Sequence, residues 1–164
     1  MLSLCDGIES SQVRPYQERN DAMPLLRRAL DRTVSMGTAA FQVLCGVSLG
    51  EAHLGAGQID EAQTLGEQAL AFASERGNQA YALRLLGEIA AQRDPPSTEM
   101  AEGFYRRALI LADEMGMRPL QAHCHGALSV LYVQTSNTDR ARSEFVAAVA
   151  LYRAMNMTLW CSEG

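Results

Sequence analysis

The chain has 164 residues, 48% apolar and 20% charged, enough for one domain with a sizeable core and too apolar for a disordered segment. Its formal net charge of −5 repels phosphate backbones and argues against a nucleic-acid partner. No apolar run is long enough to span a bilayer, and the opening MLSLCDGIESSQ lacks the basic region of a secretory signal. A cytoplasmic protein is expected, in which the dispersed Cys5, Cys45, Cys124 and Cys161 are free thiols rather than a disulfide framework.

Residues 1–19 show no clear period and contain Pro15; they read as a tail or as a partial first helix. Seven helices are expected from there, at about 20–36, 39–55, 59–76, 79–93, 98–115, 119–134 and 138–155. Pro24 falls early in the first and Pro119 in the first turn of the sixth, where a missing N–H costs little. Asp60 and Glu61 open the third, where negative charge complements the helix dipole. Gly55-Ala56-Gly57, Asp94-Pro95-Pro96-Ser97 and Thr135-Ser136-Asn137 read as turns. The helical repeat domain is thus expected over 20–156, with a short tail at 157–164.

The segments repeat. Ser35-Met36-Gly37, Glu75-Arg76-Gly77, Glu114-Met115-Gly116 and Ala154-Met155-Asn156 end alike, at intervals of 40, 39 and 40 residues. Glycine, or failing that asparagine, takes the left-handed conformation just past a helix most readily, so four helices are expected to stop there. Ala22, Ala62, Ala101 and Ala141 recur in the same rhythm, each followed seven residues on by Ala29, Ala69, Ala108 and Ala148. Between them lie Leu26, Gly66, Tyr105 and Phe145. This spacing puts all three residues of a set on one helical face, where small residues admit a neighbouring helix and the large one fills the space. Gly66 is expected to leave a shallower contact. Upstream, Leu49-Gly50-Glu51, Leu86-Gly87-Glu88 and Leu128-Ser129-Val130 occupy equivalent places, the small residue marking a helix crossing.

L-G-x-x followed by A-x3-(F/Y)-x2-A resembles the tetratricopeptide repeat. The resemblance covers roughly residues 20–156, lacks the usual early tryptophan (Gly46, Leu83 and His125 stand there) and has a period near 40 instead of about 34. It implies an all-α, right-handed superhelical solenoid of about 3.5 helical hairpins. The stretches Ala82–Ala90, Met117–His125 and Tyr152–Trp160 also resemble the C-terminal repeat region of bacterial adenylate/guanylate cyclase–ATPase signalling proteins. That likeness implies a bacterial regulatory setting; no catalytic residue carries over, since neither a cyclase nor a GxxxxGK[ST] loop is present.

In the tetratricopeptide family the first helix of each hairpin lines a concave groove. Carried over by register, the groove residues are Leu44, Val47, Glu51 and Leu54, then Tyr81, Arg84, Glu88 and Gln92, then His123, Val130 and Gln134. The family's clamp for a terminal carboxylate uses lysine and asparagine. Here Val47, Arg84 and Gly126 stand at the lysine position and Glu51, Glu88 and Val130 at the asparagine position, so the clamp is not reproduced. Arg84 and Glu88, four residues apart, can instead pair with each other.

His123-Cys124-His125 invites a metal reading, but residues two apart on a helix point about 200° away from each other and cannot share one tetrahedral ion. Cys124 is expected in the core, one histidine in the groove and the other between helices. No histidine stands three or four residues from Cys124, so no nucleophilic dyad forms. The methionines near helix ends, such as Met36, Met100, Met115 and Met117, read as gap-fillers between hairpins. The last helix carries Phe145, Val149 and Tyr152, followed by Trp160, where related repeat regions continue into another helix. A second copy of the chain is expected to cover that end as a two-fold dimer. The function expected is non-catalytic, without cofactor or metal: a scaffold or adaptor binding a protein partner's peptide or helix in the groove. The alternative is a domain sensing a small molecule or peptide at the same place.

Overall fold

A computed structural model describes the backbone of residues 14–157 and the side chains of residues 22–157. Among them are seven helices and no strand: α1 (Arg14–Ser35), α2 (Ala39–Gly55), α3 (Ile59–Phe72), α4 (Arg76–Gln92), α5 (Thr98–Glu114), α6 (Arg118–Gln134) and α7 (Thr138–Ala154). The first helix begins six residues before the expected position 20. Pro15 does not interrupt it, because a second-position proline gives up an N–H that has no intrahelical partner anyway. Pro24 therefore lies inside α1 rather than early in it. Residues 1–13 and 158–164, including Cys5, Trp160 and Cys161, lie outside the described residues.

Five helix ends close in the same way. Gly37, Gly57, Gly116, Ser136 and Asn156 have φ of 66°, 76°, 65°, 57° and 56°. Each is followed by a residue whose N–H reaches five residues back, as in Gln58 to the His53 carbonyl at 2.9 Å and Asn137 to the Tyr132 carbonyl at 2.8 Å. This double closure satisfies carbonyls that the helix end would leave orphaned. Gly57 and Ser136 mark the single-helix step inside the 40-residue hairpin period: 37 to 57, 116 to 136 and 136 to 156 are each 20 residues apart, and two such steps make one hairpin. A 17-residue helix plus a three-residue turn makes that step.

Gly77 is the exception, and its expected role as a helix stop does not hold. α3 ends early at Phe72, the chain is extended at Ala73 and Glu75, and Gly77 is the second residue of α4. The amide of Gln79 caps the Ala73 carbonyl at 2.9 Å, so the chain leaves α3 without a left-handed residue.

Each helix packs on its neighbours in sequence; in addition α2 packs on α4 and α4 on α6, whereas the backbones of α3 and α5 stay further apart, with Leu70 of α3 and Leu111 of α5 packed on one core cluster. The small residues explain the close approaches. A Cβ on Gly50 would lie 2.6 Å from Leu85 Cδ2, and one on Gly87 would lie 2.7 Å from the Tyr105 ring. At the third crossing the Ser129 hydroxyl donates to the Ala141 carbonyl at 2.9 Å. Ala62, Ala69, Ala101, Ala108, Ala141 and Ala148 are buried, as is Tyr105. Gly66 does not leave the shallow contact expected of it; Leu86 and Ile89 of α4 move into its place, with Leu86 Cδ2 2.9 Å from where a Cβ would be. Phe145, the counterpart of Tyr105, is 59% exposed.

Candidate functional site

α2, α4 and α6 present one face to a cavity of about 800 Å³. Ser48, Glu51 and Ala52 reach it from α2, Tyr81, Arg84 and Glu88 from α4, and Pro119, Leu120 and His123 from α6. Ala22 and Leu26 of α1 close one end. A second concavity of about 670 Å³ begins at Tyr81 and is lined further by Leu44, Asn78, Met115 and Met117. Tyr81 lines both, so the two adjoin.

Arg84 is the centre of the first cavity. Its side chain is 13% exposed and its guanidinium bonds both Glu88, one turn along α4, and Glu51 of α2. Burial opposes its charge, but Glu88 and Glu51 more than offset that and hold its pKa above the usual arginine value. Burial pushes the Glu88 carboxyl above the usual carboxylate range; Arg84 pulls it down and Glu51 adds to the rise. Two carboxyl groups thus share one guanidinium at the floor of the groove. Their side chains remain 39% (Glu51) and 29% (Glu88) exposed, more open than the cation between them.

His123 stands at the rim with its Nδ1 3.1 Å from the Tyr152 hydroxyl and the rings edge-on at 5.8 Å. Burial first, then Arg84, lowers its pKa, which favours the neutral ring. His125 faces the other way, its Nδ1 2.5 Å from Glu144 of α7. Cys124 between them is buried in a core cluster, and burial pushes its thiol up to about 12, leaving no thiolate at neutral pH. The division of this tripeptide follows the 100° step of the helix.

Of the expected groove residues, Glu51, Tyr81, Arg84, Glu88 and His123 meet in one cavity, and Leu44 lies in the adjoining one. Val47 does not belong to the groove: it is 4% exposed and packs in the core with Val43 and Leu54, the apolar stripe of α2. Leu54 is buried in the same cluster. Gln92, Val130 and Gln134 are exposed but line neither cavity. Tyr152, expected at the dimer end, turns toward α6 and His123; Val149 is half-buried. Met36, Met100 and Met115 are exposed rather than filling gaps, while Met117 packs on a core cluster. The contribution of α1 was not foreseen, because residues 20–36 carry no marker of the groove face. Ser48 is legible from its spacing, since it lies three residues before Glu51 and four before Ala52, which makes it the neighbour of both on the helix surface.

A second polar network ties α5, α6 and α7 together. The Tyr132 hydroxyl donates to Glu102 at 2.6 Å and accepts from Arg106 at 2.6 Å. Arg106 also bonds Glu102 at 2.9 Å and lies 3.9 Å from Glu144, while Arg140 lies 3.8 Å from Glu102 and 5.7 Å from the Tyr132 ring centre. The bonds from Tyr132 and Arg106 hold the Glu102 carboxyl below its usual range. No protein-family model matches the chain, and no curated protein sequence matches it significantly.

Proposed function

We propose that the chain is a tetratricopeptide-type right-handed solenoid that acts as a non-catalytic scaffold or adaptor, holding a peptide or helix of a protein partner in its concave groove. The observation that carries this reading is the groove lined jointly by α2, α4 and α6. The backbones of those helices approach each other more closely than those of α3 and α5, which supports a stack curved toward the first-helix face. A cytoplasmic, bacterial signalling setting accords with the sequence resemblance. Among the described residues no helix is long and apolar enough to cross a membrane.

The test is capture of a partner from the source cell with wild-type chain, Tyr81→Ala and Phe145→Glu. A partner lost on Tyr81→Ala and kept on Phe145→Glu supports the groove. A partner lost only on Phe145→Glu contradicts it. A second reading, sensing of a small molecule, draws support from the gathering of Tyr81, Arg84 and His123 around one cavity. The exposed Phe145 and Val146 of α7 favour self-association at that end. Sedimentation at micromolar concentration tests this: a dimer that Phe145→Glu dissociates is expected, and a monomer unchanged by the substitution contradicts it.

A further inference from the structure

Arg84 pairs with Glu88, as their spacing leads one to expect, and with Glu51 as well, so it is not open to an acidic partner. Its guanidinium is occupied on both sides, by Glu51 and by Glu88, and is the least exposed of the three. An incoming group meets carboxylate oxygen instead. Leu26, Ala52, Tyr81 and Leu120 line the same cavity, with Ser48 and His123 as its other polar groups. Tyr81 also lines a second concavity of about 670 Å³, with Leu44, Met115 and Met117 as its apolar groups and with Glu75 and Arg76, the latter paired with Glu114.

From this charge balance we infer that the groove binds a partner segment bearing one basic side chain beside an apolar one. The basic group enters the Glu51–Glu88 cavity and the apolar one the Leu44–Met117 concavity. The inference rests on the groove reading above and adds the chemistry of the partner. A lysine or arginine brought between the two carboxylates gives the second of them a cation. The tyrosine face beside it favours a cation and disfavours an anion. An acidic peptide, by contrast, would add a third carboxylate to a partly desolvated site, where like charges repel most strongly.

The test is selection of random dodecapeptides displayed on phage against the immobilised full chain, with wild type, Glu51→Gln, Glu88→Gln, Tyr81→Ala and Phe145→Glu compared. Circular dichroism checks that each variant folds. Enriched peptides are expected to carry a lysine or arginine next to an apolar residue. They should lose affinity about tenfold on Glu51→Gln or Glu88→Gln and keep it on Phe145→Glu. Peptides that need the groove, by their loss on Tyr81→Ala, but carry acidic residues overturn the basic-partner inference and leave the groove reading standing. Peptides indifferent to all three groove substitutions and lost on Phe145→Glu, or no enrichment above an unrelated helical control, overturn both.

Discussion

The groove triad and the α5–α6–α7 network are built from the same side chains and differ in how well their charges are met. In the network, two guanidiniums face two carboxylates, a tyrosine hydroxyl bridges one of each, and Glu102 is held below the usual carboxylate range. In the groove, two carboxyl groups share Arg84, and Glu88 is pushed above that range by burial. The first arrangement stabilises the packing of helices. The second leaves two carboxyl groups on one cation, an imbalance that works against the fold.

The residue joining the two regions should matter most. Tyr105 packs its ring on Gly87, below Glu88, and belongs to the cluster with Leu128 and Tyr132. Tyr105→Ala should cost about 3–5 kcal/mol in urea denaturation; a loss under about 1 kcal/mol would mean that the two regions are not coupled through it. Tyr132→Phe removes the hydroxyl that bridges Glu102 and Arg106, and should cost about 1–2 kcal/mol by the same measurement. The backbone offers a smaller contrast. Gly116, left-handed in the α5–α6 turn, should lose about 1 kcal/mol on replacement by alanine. Gly77, helical and beside the groove with Met117 Sδ 3.6 Å from a built Cβ, should gain up to about 1 kcal/mol. If both lose, Gly77 is a helix stop after all.

The smallest effect is in pH. Because the Glu88 pKa is raised, the folded chain holds more protons there than the unfolded one between 4.5 and the raised value. Stability contributed by Glu88 is therefore lost as pH rises through that window. For Glu102 the pKa is lowered, and its contribution is lost as pH falls below 4.5. Wild type minus Glu88→Gln and wild type minus Glu102→Gln should slope in opposite directions; slopes of one sign would remove the distinction between the regions.

Helix number and most boundaries were legible because apolar spacing and turn residues repeat. The 20-residue helix step is written in Gly37, Gly57, Gly116, Ser136 and Asn156, and the alanine pattern, which recurs only on alternate helices, marks the 40-residue hairpin made of two such steps. Gly77 misled because glycine alone does not end a helix; the side-chain cap from Gln79 decides the matter, and it spans an irregular turn. Groove membership was legible where a polar residue had to find water, as at Glu51 and Glu88. It failed at Val47, where register carried over from a family competed with the apolar stripe Val43–Val47–Leu54, and burial won. The network on Tyr132 pairs residues as distant in sequence as Glu102 with Arg140 and Arg106 with Glu144, and no local pattern announces it.

The central claim is that the groove carboxylates are held against the preference of the fold, and the direct measurement is unfolding free energy at pH 7 for Glu88→Gln beside Glu102→Gln. Glu88→Gln should be neutral or stabilising. Glu102→Gln, after allowance for solvent screening, should cost about 1 kcal/mol. Equal losses at both positions, or a larger loss at Glu88, would contradict the account.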